Sequence, residues 1–287
     1  MYLNTRSPHF ELLFRTVSAL MTGLSISLLL FILWAILWQG WGPLSLDFVL
    51  SPMRGAGGEG GIWYQILGTV LLLITSATVA TPFAVALSLL QTHYFSRSRY
   101  RKLVSSILHL LNGTPSILFG ILGFVFFVKW LEWEKSWLAG GIILGMMILP
   151  TVTLALVQRM ETIPKSYIEE AMSMGMTEDQ ITWAVHVPYG WGGLLTGLVL
   201  GLARAAGETA PIMFTAAVFS GAGFPSGIKD SPILALPYHI FNLAQDAYSP
   251  NAIETAWATA ATLTAVVLTM SLIALPFRAR SHEEAKK

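Results

Sequence analysis

Val17-Ser18-Ala19-Leu20-Met21-Thr22-Gly23-Leu24-Ser25-Ile26-Ser27-Leu28-Leu29-Leu30-Phe31-Ile32-Leu33-Trp34-Ala35-Ile36-Leu37-Trp38 holds no charged side chain. A helix rises about 1.5 Å per residue and the hydrocarbon core of a bilayer is about 30 Å thick, so this run is long and apolar enough to cross a membrane. It exceeds the apolar region of a signal peptide, and no small-residue cleavage site follows in Gln39-Gly40-Trp41. It therefore reads as an uncleaved first span. Working outward, the same criterion finds further spans at Gln65–Leu90, Leu103–Val128, Trp137–Val157, Tyr189–Val218 and Ala252–Pro276. The expectation is an all-α membrane protein of six transmembrane helices.

Composition supports this reading. Of 287 residues 54% are hydrophobic and 11% charged, against roughly a quarter charged in a soluble domain. A net charge of +1 offers no surface for counterion release, which argues against nucleic acid as a partner. The absence of cysteine excludes disulfides, thiolate metal sites and a cysteine nucleophile. Basic residues are unevenly shared between the loops. Arg6, Arg15, Arg97, Arg99, Arg101, Lys102, Arg159, Lys165, Arg278, Arg280, Lys286 and Lys287 fall on one side, and Arg54, Lys129, Lys135 and Lys229 on the other. The positive-inside rule then places both termini in the cytoplasm.

Arg204 is the remaining basic residue, and it falls inside the fifth span with Glu208 four residues on. An ionisable side chain near the bilayer centre costs about 2.5–3.5 kcal/mol on insertion scales, so the pair requires a reason. On a helical projection it lies beside a seam of small residues, Gly193, Gly197, Gly201 and Ala205. That seam lets another helix approach, with Leu195, Val199 and Leu202 turned to lipid. Two readings stand: an i,i+4 pair that fixes packing, or an anion path in which Arg204 offers a donor fork to an oxyanion. Pro82, Gly113-Thr114-Pro115, Pro150 and Pro211 punctuate the spans, as kinks or as broken helices lining a path.

The polar tract Gln158–Pro188 contains Glu169-Glu170-Ala171, Gly175 and Val185-His186-Val187-Pro188. Tyr167–Met174 favours a short helix stopped by Gly175. Its apolar strip, Ile168, Ala171 and Met174, suits a partner's groove or the headgroup plane. No G-x-x-x-x-G-K-[ST] occurs, so this chain cannot cradle nucleotide phosphates in the P-loop manner. The Gly55–Gly60 match to G-x-G-x-x-G has no βαβ context and reads as a flexible tract. The six histidines show no i,i+4 pair, so metal ligation and a Ser–His catalytic arrangement both lack support, and no cofactor is expected. Ser231-Pro232 opens a further short helix running into Leu236–Asn242.

Several segments resemble known ones. Glu169-Glu170-Ala171, Gly175, Val185 and Val187-Pro188 keep the spacing of the EAA signature of bacterial ABC-importer permeases, with Glu170, Val185 and Val187 as departures. Ala203-Arg204-Ala205-Ala206-Gly207-Glu208-Thr209-Ala210-Pro211 resembles a segment of phosphate-transporter permeases of the PstA type, as do Thr114–Gly120 and Leu236–Asn242. The resemblance covers residues 62 to 276. It implies a type I ABC importer permease-like bundle in the bacterial cytoplasmic (inner) membrane. Residues 1–62 would hold the leading helix and loop, 63–276 the core with a coupling loop at 158–188, and 277–287 a tail. The implied partners are a PstC-type second permease, a PstB-type ATPase dimer, a periplasmic PstS-type phosphate-binding protein and membrane lipid. The implied path residues are Arg204, Glu208 and Thr209, and the implied coupling residues are Glu169, Glu170, Ala171, Gly175 and Pro188. ATP hydrolysis would belong to another chain. Permeases for sulfate, molybdate or phosphonate, or an ion-coupled carrier, are the alternatives.

Overall fold

Backbone groups in lipid have no partner except one another, and the charge-free runs are accordingly helical. The computed structural model describes residues 8–54, 59–94, 99–245 and 250–284; Arg6, Arg97, Lys286, Lys287 and most of the Gly55–Gly60 tract lie outside them. In chain order, α1 (Pro8–Trp41) and a short α2 (Leu46–Leu50) lead into a two-residue hairpin, β1 (Met53–Arg54) and β2 (Glu59–Gly60), with Met53 opposite Gly60. There follow α3 (Trp63–Leu89), prolonged by a π-turn at Leu90–Tyr94, then α4 (Arg99–Gly113), and α5 (Ser116–Gly123), prolonged by a π-turn at Phe124–Trp130. Next come α6 (Trp137–Met160), α7 (Lys165–Ser173), α8 (Glu178–Ile181) and a π-turn at Thr182–His186 that joins α9 (Val187–Gly207). The chain ends through α10 (Ala210–Thr215), α11 (Leu236–Gln245) and α12 (Pro250–Glu284).

Among the described residues, five helices are long and apolar enough to cross a membrane: Glu11–Trp41, Trp63–Tyr94, Trp137–Met160, Glu178–Gly207 and Asn251–Ile273. The third span, expected as one helix over Leu103–Val128, is two helices, α4 and α5, bent by 95°. The cause is local. Pro115 has no N–H to donate and pushes Thr114 out of the α region. The fifth span also differs from Tyr189–Val218. It begins at Glu178 and stops at Gly207, where Glu208 adopts extended angles (φ −78°, ψ 125°). Pro211 then sits in the first turn of α10, where its missing donor costs nothing. Pro82 and Pro150 remain inside unbroken helices. Pro188 is accommodated by the π-turn just before it, which relieves the crowding of its ring against the preceding turn.

α6 is the central post. Its Leu144, Met147, Ile148, Val152 and Leu156 are buried, with α3 on one side and α9 on the other. The small-residue seam of α9 meets α6 as expected: a Cβ added at Gly197 would lie 2.8 Å from the Val152 Cα, and one at Gly201 3.1 Å from the Ile148 Cβ. The opposite side is not simply turned to lipid. Leu195, Val199 and Leu202 line an apolar groove shared with Val267 and Met270 of α12. α1 stands apart and is exposed along its apolar length, approaching α12 closely at Gly40, where an added Cβ would lie 2.7 Å from the Ala261 Cβ. Near that end Trp34 and Trp38 stack with centroids 5.8 Å apart, and Trp41 continues the row.

Candidate functional site

Both breaks fall at one place. Arg204 is in the last turn of α9 and Glu208 follows the helix end, with Arg204 Nε 3.4 Å from Glu208 Oε1 and side chains 36% and 18% exposed. A charge-assisted hydrogen bond is normally about 2.7–2.9 Å, so this is a loose contact, and its guanidinium remains open to other partners. Arg204 Nη1 donates to Asn112 Oδ1 at 3.4 Å, and Thr151 Oγ1 donates to the same oxygen at 3.0 Å. Asn112 is in the last turn of α4, just before the 95° bend, and Thr151 follows Pro150 in the middle of α6. Three helices therefore meet at one polar cluster. Thr209, half-buried, completes the crossing, and its carbonyl accepts from the Met213 N–H at 3.0 Å.

The segments beyond the two breaks pack on each other. A Cβ at Gly120 of α5 would lie 2.8 Å from the Ala210 carbonyl oxygen at the start of α10. The far end of α10 is held by Lys135, whose Nζ donates to the Met213 and Ala217 carbonyls at 2.8 and 3.1 Å. Desolvation by burial lowers the pKa of this ammonium. Lys135 satisfies carbonyls that the short helix leaves unpaired.

Sequence reading singles out Arg204, Glu208 and Thr209 but not Asn112 and Thr151, which lie in other spans and contact Arg204 or each other in the structure. The signal available was the lone carboxamide of the span Leu103–Val128, one residue before Gly113-Thr114-Pro115.

The predicted coupling helix is α7, and Gly175 ends it as expected. Gly175 has φ +79°, its N–H bonds the Met172 carbonyl at 2.9 Å, and the Met176 N–H bonds the Ala171 carbonyl at 3.1 Å. This is a Schellman motif, in which the left-handed position suits glycine. The apolar strip is oriented otherwise than expected. Ala171 is 3% exposed and Ile168 packs against the main core, so both seat the helix on its own chain. Glu169, Glu170, Met172 and Met174 stay outside. Pro188 sits beyond the π-turn in the first turn of α9, away from this exposed face.

Two of the scattered histidines meet: His93 and His186 approach to 4.7 Å between ring centroids. His239 on α11 is 3% exposed with neither ring nitrogen hydrogen-bonded, and burial pushes its pKa down to about 4.

Residues 80–280 match the family described as binding-protein-dependent transport system inner membrane component. The chain belongs to this family. As an inner membrane component it is a multi-pass membrane protein that serves transport. It is 28% identical to the phosphate transport system permease protein PstA of Pasteurella multocida over 91% of this chain and 92% of that protein. It is 27% identical to the PstA of Haemophilus influenzae over 90% and 92%. In fold, this inner membrane component resembles a subunit of the inward-facing MetNI methionine ABC transporter (TM-score 0.57, 16% identity, 77% of this chain and 94% of that one). A bacterial ABC transporter that imports alginate gives TM-score 0.57 at 15% identity over 93% and 98%.

Proposed function

We propose that this chain is the permease subunit of an ATP-driven phosphate importer in the bacterial inner membrane. The observation that carries this is the Arg204 guanidinium, partly exposed where two broken helices meet, in a chain whose relatives over nine-tenths of its length are phosphate permeases. A planar fork of donors suits a tetrahedral oxyanion. Glu208 beside it supplies an acceptor for the proton that phosphate retains at neutral pH and sulfate lacks, and Thr209 adds a hydroxyl at the same crossing.

The reading includes partners. A PstC-type permease would supply the other half of the path, a PstS-type binding protein would deliver phosphate from outside, and a PstB-type ATPase dimer would hydrolyse ATP. The exposed face of α7, bearing Glu169, Glu170, Met172 and Met174, would dock on the ATPase. Ala171 and Gly175 would shape the helix, and Pro188 would fix the entry to α9. Residues 158–188 would then be the coupling segment of a core spanning 63–276, with both termini cytoplasmic. Closure of the ATPase dimer would push α7 and tilt the bundle about α6, exchanging access between the two sides.

The test is ATP-dependent uptake of phosphate, sulfate and molybdate into vesicles holding this chain with its neighbouring permease and ATPase, with the binding protein supplied. Phosphate uptake that the other anions do not match is the expected result. Equal or better sulfate uptake would overturn the substrate, and uptake driven by an ion gradient without ATP would overturn the class.

A further inference from the structure

Asn112 does more than sit near Arg204. Its Oδ1 accepts from both Arg204 Nη1 at 3.4 Å and Thr151 Oγ1 at 3.0 Å. A guanidinium has only donors, so the carbonyl oxygen and not the amide nitrogen must face Arg204. The amide orientation is thus dictated by chemistry. The Nδ2 group of the same amide donates to none of the described residues and belongs to an exposed side chain. Arg204 uses Nε toward Glu208 and Nη1 toward Asn112, which leaves further N–H donors of its five. One open face therefore presents guanidinium and amide donors beside a single carboxylate acceptor.

We propose that Asn112 determines specificity in the anion path, its Nδ2–H donating to a bare oxygen of the tetrahedral anion that Arg204 holds, with Thr151 keeping the amide in that orientation. This rests on the phosphate-path reading above. Phosphate offers bare oxygens to the two donors and a P–OH to Glu208, so all three side chains are satisfied together. Sulfate satisfies the donors and leaves Glu208 facing a bare oxygen. If Asn112 were only a bracket between helices, a carboxylate there would serve equally, since it accepts from the same two donors. If its N–H faces the anion, a carboxylate repels.

The titratable groups around this amide are Arg204 on α9, Glu208 just beyond its end, and His109 one turn earlier on α4, whose Nδ1 lies 2.7 Å from the Ser105 carbonyl oxygen. From α6 the facing polar group is Thr151. The experiment uses the complete transporter in vesicles and reads ATP-dependent phosphate uptake, with subunit recovery measured alongside, for wild type, Asn112→Asp, Asn112→Ser and Arg204→Ala. Asn112→Asp is expected to assemble normally and to lower uptake about ten-fold at neutral pH, the effect of losing a charge-assisted hydrogen bond. The ratio of variant to wild type should then recover as the assay is acidified, because a more protonated phosphate can donate to the new carboxylate. Undiminished uptake, or a loss that does not change with pH, would overturn the role. Should Asn112→Asp fail to assemble, Asn112→Ser decides: it removes the amide donors without adding charge, and full phosphate uptake in that variant also overturns the proposal. Arg204→Ala separates the layers. Wild-type uptake there means the path reading itself is wrong, whereas loss there beside undiminished uptake in Asn112→Asp retires only the role of Asn112.

Discussion

The Arg204–Glu208 contact carries the first prediction. At 3.4 Å and partly exposed, it contributes no more than about 1 kcal/mol to holding helices. A helix-fixing pair should tolerate joint removal better than either single change, whereas path residues should not. Arg204→Ala is expected to cut phosphate uptake at least about ten-fold, and Glu208→Gln to relax discrimination against sulfate because the amide offers it a donor. Near wild-type uptake in the double alanine variant, at equal protein level, would assign the pair to packing. His239 carries the second. Its folded pKa of about 4 lies below the ordinary 6.5, so the unfolded chain binds the proton first and stability falls as pH drops through that window. Between about pH 6.5 and 5 this amounts to about 2 kcal/mol. His239→Phe, which keeps a ring against Phe219 (6.3 Å between centroids in the wild type), should flatten that acid loss. Thermal unfolding in detergent at both pH values checks it, and an unchanged slope would contradict it.

Among the elements, α7 separates what seats it from what it shows. Ala171→Asp puts a carboxylate into the chain's own core, so it is expected to unseat the helix and lower protein recovery, at a cost of several kcal/mol. Met174→Asp alters only the exposed end. It should leave folding intact and reduce co-purification of the ATPase. Retention of the ATPase with Met174→Asp would move the docking face elsewhere. Gly175→Ala, strained at φ +79°, should cost about 1 kcal/mol and resemble a weak form of Ala171→Asp. The helices themselves were legible in the sequence because lipid permits little else, and so was the glycine stop. The inward turn of Ile168 and Ala171 was not, since an apolar strip on a short helix does not say which surface it meets. Nor was the 95° bend between α4 and α5: proline marked the position, but Pro82 and Pro150 read the same way in sequence and leave their helices whole. Arg204 declared itself by its cost in lipid, while Asn112 and Thr151 joined it only through the packing of α4 and α9 around α6.

For the molecule as a whole, the chain has no P-loop, and its polar cluster is only partly buried. Vesicles holding this chain alone are therefore expected to show no ATP-dependent phosphate uptake, and uptake at the rate of the full assembly would contradict the division of labour. The leading helix has a consequence of a different kind. Among the described residues α1 meets its own chain around Gly40 and is exposed along most of its apolar length, so its own chain holds it at one end. Its charge-free run is about 33 Å long at helical rise, close to the hydrocarbon thickness, and Trp34, Trp38 and Trp41 gather at one end, where indole rings settle among headgroups. Such a helix acts as a depth gauge. In a thinner bilayer it must lean, pivoting where it touches α12, and the whole subunit would feel membrane thickness through that one contact.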